Sequence, residues 1–323
     1  LQHFLNVFIR YPNTSWAPDA GDRFRQIEGT LKKEWDKEVK AKITPDQWQA
    51  VERAQFREAR ALFNQQRFKE AVGNYEQVLS LFPERETSVA ALGELAACYI
   101  ELEDYLLCDV VIRHLSERFC RHESLMTKAG DQVVRIAFKF SERGDTPRMR
   151  EAYDVFFTYF KTHPRTATEL FRFAEEEYRA NNLDKALGYY SQIVAGHADK
   201  PIYFDALSKI AYVYSKQSKP ADEIKTLQVL IAKLKQKDNP GHALANATFR
   251  FANGLKAMGP KYLPLAIAKY TEIEKMLLDE SQRATYQNSA DEAKANIQIV
   301  QASMYYRAMA DCMRKTVPAN IQK

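Results

Sequence analysis

The chain has 323 residues, which is long for one globular core, and its 46% hydrophobic content excludes disorder throughout. Glycine and proline are sparse, at 11 and 12 residues, which favours helices over many short strands joined by tight turns. The 47 basic and 42 acidic side chains leave a net charge of +5, a small surplus that is weak evidence for a nucleic-acid partner. No apolar run is long enough to predict a membrane-spanning helix.

The first segment has the spacing of an amphipathic helix. Its apolar residues are Leu1, Phe4, Leu5, Phe8 and Ile9. Since the chain starts inside this pattern and without a methionine, we expect it to be part of a longer precursor. A long helix is predicted next, from Pro18 to Lys42. Thr44, Pro45 and Gln47 then predict a helix start, because threonine caps, proline suits the first turn and glutamine bonds back to the cap.

From here the pattern of small and aromatic residues predicts six helical hairpins in series. The first three are predicted over residues 48–83, 88–119 and 125–164. The fourth contains residues 173–193, the fifth begins at Pro201 and the sixth at Asn239. The turns near residues 144, 219 and 259 are expected to be lengthened.

A last long helix is predicted over about residues 282–314, where it would cap the final hairpin. Its apolar residues include Ile297, Val300, Met304, Tyr305 and Met309.

The repeated unit joins a small residue at the helix crossing to an aromatic residue three or four positions later, and several units end in proline. The matching residues are Ala59, Ala71, Tyr75 and Pro83; Ala96 and Tyr99; Ala152, Phe156 and Pro164; Ala174, Ala186 and Tyr190; Ala211 and Tyr214; and Ala266 and Tyr270. In this pattern the chain resembles the tetratricopeptide repeat (TPR) superfamily over about residues 45–275. The resemblance implies an all-α, right-handed superhelical solenoid of TPR-like helix-turn-helix repeats with a long C-terminal capping helix.

The predicted organisation has three parts. Residues 1–44 hold a partial repeat and a long helix, residues 45–280 the repeat array, and residues 281–323 the capping helix and tail. Two repeat ends, residues 8–14 and 159–166, are similar to those of bacterial envelope TPR proteins of the BamD and YbgF/CpoB type. That similarity implies a scaffold in the periplasm or cell envelope, with the cytoplasm as the alternative.

The sequence contains no signature of catalysis or of a cofactor. No phosphate-binding glycine loop, metalloprotease pair or nucleophile elbow is present, and no Cys/His cluster has zinc spacing, so we expect no catalytic residue, metal or cofactor. Cys98 and Cys108 flank a short turn, which leaves either a disulfide or buried free thiols. His163 and His197 lie near helix ends, where positive charge interacts favourably with the helix dipole.

The architecture therefore predicts a non-catalytic scaffold that binds a protein or peptide on the concave face, which is lined by the first helices of the hairpins. The candidate partner-binding residues are Arg60, Asn64, Arg172, Tyr178, Arg179, Tyr212 and Lys216. Tyrosine and arginine are the residue types that carry much of the binding energy in interfaces. Two alternatives stay open, an RNA-binding helical solenoid and an accessory TPR domain of a larger enzyme. The oligomeric state is not predicted.

Overall fold

The computed structural model of the protein describes residues 2–12, 14, 16–37, 44–237, 241–276 and 283–316. Throughout these ranges the chain is helical, with short turns and without a β-strand. One 3-10 turn, Pro260–Tyr262, precedes α14. The α-helices are α1 Gln2–Arg10, α2 Trp16–Trp35, α3 Pro45–Asn64, α4 Phe68–Leu81, α5 Glu86–Glu101, α6 Tyr105–Phe119, α7 Met126–Glu142, α8 Thr146–Tyr159, α9 Thr166–Arg179, α10 Leu183–Gly196, α11 Ile202–Lys216, α12 Pro220–Leu234, α13 Gly241–Ala257, α14 Leu263–Met276 and α15 Arg283–Thr316.

The helices group into two compact units, Leu1–Thr166 and Ala167–Lys323. Unit 1 holds the hairpins α3–α4, α5–α6 and α7–α8, and unit 2 holds α9–α10, α11–α12 and α13–α14. Inside each unit, the second helix of a hairpin also packs on the first helix of the next, as α4 does on α5 and α12 on α13. The all-α, TPR-like fold is therefore confirmed, with three hairpins in each unit. The handedness of the array and the three-part division of the chain stay predictions.

The small and aromatic residues occupy the positions that the repeat pattern gives them. Ala59 and Ala71, at the crossing of α3 and α4, are fully buried, as are Tyr75, Tyr190 and Tyr270 in the second helices of three hairpins. Close approach of two helices requires small side chains at the crossing, and each tyrosine fills the space beside it. The register of the hairpins predicted from the sequence is therefore correct.

One type of three-residue turn closes the first five hairpins. The middle residue of each turn is left-handed, with φ between 56° and 73°; these residues are Gln66, Glu103, Gly144, Asn181 and Ser218. The third residue donates its N–H to the carbonyl five positions earlier, as Arg67 does to Leu62 at 3.0 Å. The longer turns predicted near residues 144 and 219 are therefore wrong. Only at residue 259, among these six turns, is the connection extended, because Gly259 (φ 107°) leads into the 3-10 turn.

The N-terminal helices fit the predicted pattern with one difference in length. Phe8 and Phe24 are buried, as expected for the inward sides of α1 and α2. However, α2 ends at Trp35, and residues 38–42 of the predicted helix lie outside the described residues. The cap of α3 is confirmed, since the Thr44 hydroxyl accepts from Gln47 N–H at 3.2 Å and Thr44 N–H donates to the Gln47 side chain at 2.9 Å.

The C-terminal helix α15 packs on α13 and α14 and buries Val300. Met304, Tyr305 and Met309 of the same helix are exposed. The reason is length: α15 has 34 residues and α14 has 14, so α15 extends beyond the helix it covers. No described helix is both long and apolar enough to cross a bilayer.

The four cysteines are free thiols, so the structure contains no Cys98–Cys108 disulfide. Cys98 and Cys108 are fully buried in unit 1, and burial raises the pKa of each to about 12. A thiol with so high a pKa is almost entirely protonated at neutral pH and is a poor nucleophile. Both residues therefore act as small core side chains.

Candidate functional site

The first helices of unit 1 carry charges that pair with one another. Between α5 and α7, Arg135 Nη1 lies 3.0 Å from Glu94 Oε1, and Arg143 Nη2 lies 2.5 Å from Glu101 Oε2. Lys128 and Glu86 form a third pair at 2.5 Å. These contacts fix α5 against α7 and neutralise that part of the surface.

Helix α3, the first helix of unit 1's first hairpin, has unpaired charges instead. Arg53, Arg57, Arg60 and Asn64 are exposed and recur every three or four residues, which places them in one row along the helix. We call these four residues the α3 arginine row. In the described part of the chain no carboxylate pairs with any of the three arginines. The row therefore carries three positive charges toward solvent.

Two half-buried phenylalanines border the α3 arginine row on one side. The Phe56 ring lies 5.9 Å from the Tyr75 ring, and the Phe63 ring lies 5.3 Å from the Phe68 ring. Each ring packs against its neighbouring ring and remains partly accessible to solvent. The surface of α3 thus combines positive charge with fixed aromatic area.

A groove of about 730 Å³ adjoins the same helix. Its lining residues are Gln49, Glu52, Arg53, Phe56, Glu84, Arg85, Glu86, Thr87, Ala90, His122, Ser124 and Leu125. Inside it the buried Glu52 is paired with Arg85, whose Nη1 lies 3.1 Å from Glu52 Oε2. Because Arg53 and Phe56 belong to both surfaces, the groove continues the α3 face.

The first hairpin differs from two others in whether the hydroxyl of the buried tyrosine on its second helix has a hydrogen-bond acceptor. The Tyr190 hydroxyl donates to Glu175 on α9, and the Tyr270 hydroxyl donates to Asn253 on α13 at 2.5 Å. The hydroxyl of Tyr75, also fully buried, has no hydrogen-bond partner among the described residues.

The difference follows from the sequence of the first helix. Glu175 precedes its tyrosine by 15 residues, and Arg60 stands at the same distance before Tyr75. Arginine has no acceptor atom, so it cannot accept a hydrogen bond from the tyrosine hydroxyl. Burial raises the pKa of Tyr75, which keeps the hydroxyl protonated and in need of an acceptor.

In unit 2 the first helices bring cations onto tyrosine rings. The Lys216 ammonium of α11 lies 4.2 Å from the centre of the Tyr178 ring on α9. The Arg250 guanidinium of α13 lies 3.5 Å from the centre of the Tyr212 ring. Both distances are within the range of a cation–π interaction. The rings and cations thus form a fixed surface across three first helices.

Glu175 supports this surface from below. It accepts from the Tyr190 hydroxyl and pairs with Lys209 at 2.7 Å. Burial alone would raise the pKa of Glu175, but these hydrogen bonds and positive charges lower it overall. A smaller cavity of about 240 Å³ lies between α11, α12 and α13, and Phe204, Tyr212 and Asn246 contribute to its lining.

The predicted site residues fall into two sets. Arg60 and Asn64 lie on α3 in unit 1, whereas Arg172, Tyr178, Arg179, Tyr212 and Lys216 lie on α9 and α11 in unit 2. The structure brings Tyr178 and Lys216 together, and it pairs Arg172 Nε with Glu169 Oε2 at 3.0 Å. A partner-binding role for the seven residues stays a prediction.

Sequence reasoning missed three basic residues on these faces. Arg53 and Arg57 precede Arg60 at helical spacing, and that repetition alone was a sufficient signal. Arg250 covers Tyr212 from the next hairpin, a contact across 38 residues that no local pattern reveals.

The two histidines at helix ends are not exposed charges, so this expectation is wrong. His163 and His197 are buried, and burial lowers the pKa of each. His163 Nδ1 accepts from Arg165 N–H at 3.1 Å, and Nε2 lies 3.0 Å from the Thr127 carbonyl oxygen. One nitrogen thus accepts and the other donates, which is the neutral form of the ring. Both histidines are structural.

Among known proteins, the tetratricopeptide repeat family matches residues 53–85. No curated protein matches the chain. Similar solved structures include the TPR2AB domain of yeast Sti1 in a pHSP90 complex (14% identity, 77% of this chain, 99% of that chain, TM-score 0.34). The P58(IPK) TPR domain is similar at 15% identity over 93% of both chains, with a TM-score of 0.31. Since these similarities are low, they carry no argument about function.

The matched segment coincides with one structural repeat. Residues 53–85 span most of α3, all of α4 and the turn that follows, including Ala59, Ala71, Tyr75 and Pro83. The chain therefore carries a tetratricopeptide repeat at residues 53–85, within a series of hairpins of the same design.

Proposed function

We propose that the protein is a non-catalytic scaffold that holds a protein or peptide on the faces formed by its first helices. The observation that carries this proposal is the exposure of arginine and tyrosine side chains on those helices, among them Arg53, Arg57 and Arg60 on α3 and Tyr212 on α11. These residue types supply much of the energy of protein interfaces. The rigid hairpin stack keeps them in place, which reduces the entropy lost when a partner binds.

Site-directed photo-crosslinking in cells tests the proposal in each unit separately. A photoreactive phenylalanine analogue replaces Phe138 on α7 or Tyr212 on α11, which are 49% and 41% exposed. The matched controls are Val110 on α6 and Val229 on α12, which are 55% and 46% exposed but lie on second helices. We expect adducts with discrete proteins from at least one first-helix position and from neither control.

Equal adducts from first-helix and second-helix positions would refute the assignment of the binding faces. Turnover of a substrate by the purified chain would refute a purely scaffolding role.

We place the scaffold in a bacterial cell envelope, as part of an assembly there. This part of the proposal is supported by the repeat ends, where an aromatic residue is followed by proline and a serine or threonine. After the third hairpin the Thr166 hydroxyl donates to the Phe160 carbonyl at 2.6 Å, and after the first hairpin the Ser88 hydroxyl makes the same bond to Phe82. Fractionation of cells that express the full-length tagged protein is the test, and recovery in the cytoplasm alone would contradict it.

A further inference from the structure

The geometry points to the chemistry of the partner that unit 1 holds: we propose that the α3 arginine row binds an acidic, extended segment of a partner protein. The segment lies along α3 with its carboxylates on Arg53, Arg57 and Arg60 and its other side chains against Phe56 and the adjoining groove. This inference rests on the proposed scaffold function and names the class of partner for one face.

The spacing of the row fits an extended chain. From Arg53 to Asn64 the helix rises about 16 Å, at about 1.5 Å per residue. An extended segment covers that length with about five residues. Successive guanidinium groups are three or four residues apart, or about 5 to 6 Å along the helix. That distance is close to the separation of alternate side chains in an extended peptide, so an acid at every second position meets the row.

The row is unfavourable for the folded state of the unbound protein. Arg53 and Arg57 are four residues apart and Arg57 and Arg60 three apart, and like charges at these spacings repel on a helix. Arg60 also occupies the position from which Glu175 accepts a buried tyrosine hydroxyl, and this leaves Tyr75 without an acceptor. The bond from Arg57 Nε to the Arg53 carbonyl oxygen at 3.2 Å neutralises neither charge, whereas an acidic partner relieves the repulsion.

The surroundings favour a protein over a nucleic acid. Glu84 and Glu86 line the adjoining groove and are paired with Arg118 and Lys128, so the positive surface is short and does not continue into the groove. Nucleic-acid sites need a longer, continuous positive surface, because the phosphate charges repeat every few ångströms along the strand. The aromatic border of the row offers apolar contact on one side only, which suits alternating acidic and apolar side chains.

Fluorescence anisotropy with purified protein tests the inference. The probe is a fluorescein-labelled peptide of about ten residues in which glutamate alternates with serine and one central serine is replaced by phenylalanine. It is compared with the same peptide carrying glutamine for glutamate, and with a single-stranded RNA of about ten nucleotides. We expect only the acidic peptide to bind, with an affinity that falls as salt is raised, because exposed charge contacts are screened.

Two charge-reversal proteins isolate the row. Arg53→Glu/Arg57→Glu/Arg60→Glu should weaken binding of the acidic peptide about tenfold or more. The control, Lys69→Glu/Arg113→Glu/Lys161→Glu, makes the same change in net charge at exposed positions of unit 1 away from α3 and should leave binding within about twofold.

The single change Arg60→Glu separates binding from folding. Glutamate supplies the acceptor that Tyr75 lacks and removes the repulsion from Arg57, so the denaturation midpoint should rise while the affinity for the acidic peptide falls. Equal loss of binding in the row and control variants, equal binding of the neutral peptide, or tighter binding of the RNA would each overturn the inference. Protein adducts from Phe138 or Tyr212 would in that case leave the scaffold function itself intact.

Discussion

Gly130, near the start of α7, offers a sharp test of the packing inside unit 1. A Cβ atom built on Gly130 would lie 2.6 Å from Cδ2 of His163 and 3.2 Å from the Phe156 ring. The imidazole is held at both nitrogens, by Arg165 N–H and by the Thr127 carbonyl oxygen, so it cannot turn away without losing a hydrogen bond. Gly130→Ala should therefore destabilise the protein.

The expected magnitude comes from two opposing effects. Replacing glycine by alanine inside a helix stabilises it by about 1 kcal/mol, and this is the whole effect expected at Gly73 on α4, where a Cβ meets no atom within 4 Å. At Gly130 the neighbours must shift by about 0.8 Å to restore an ordinary contact, and overpacking of this kind costs about 1–3 kcal/mol. The net change at Gly130 is therefore a loss of up to about 2 kcal/mol.

Urea denaturation followed by circular dichroism measures both variants against the wild-type protein. We expect a lower midpoint for Gly130→Ala and a higher one for Gly73→Ala, with similar slopes. If Gly130→Ala instead raised the midpoint as much as Gly73→Ala, the close packing of residue 163 on α7 would be refuted.

Three further predictions concern the turns, a helix crossing and acid stability. Gly144→Ala should destabilise by about 1 kcal/mol and Ser218→Gly should stabilise by up to about 1 kcal/mol, because both residues are left-handed at equivalent turn positions; equal urea midpoints would contradict this. Ala71→Tyr should lower the melting temperature, since Ala71 is fully buried where α3 and α4 cross, and an unchanged melt would mean that this register is wrong. Because burial lowers the pKa of His163 below its ordinary 6.5, its contribution to stability is complete above pH 6.5 and is lost as the pH falls toward the lowered value. His163→Gln should therefore flatten the dependence of the unfolding free energy on pH between about 7 and 5, and an unchanged slope would contradict a neutral His163.

The hairpins and their register were readable in the sequence because the signals are local. Ala71 and Tyr75 lie on one helix, four residues apart, so the sizes of their side chains are enough to predict which face of α4 packs against the partner helix. The cap at Thr44 involves a residue three positions away and is equally local. Helix ends were less well predicted, since α2 ends at Trp35 and the described residues 36 and 37 beyond it are not helical.

Turn length was misjudged because it depends on the backbone more than on the residue. The same left-handed turn is made by Gly144 and by Ser218, although only glycine adopts that conformation without strain. Glycine and proline in these segments therefore suggest turns of different length. The backbone hydrogen bonds show that the turns have the same length.

The sequence by itself determined the fold class, the number of hairpins and which helix comes first in each hairpin, since each follows from contacts within a few residues. Only the tertiary structure decided which of their side chains already form ion pairs or hydrogen bonds within the protein. Glu94 and Arg135 form an ion pair across 41 residues, whereas no described carboxylate pairs with Arg53, Arg57 or Arg60. The Tyr75 hydroxyl lacks the acceptor that the Tyr190 hydroxyl has. Charge pairing and hydrogen-bond satisfaction depend on which helices lie side by side, and this is why they appear only after the hairpins are stacked.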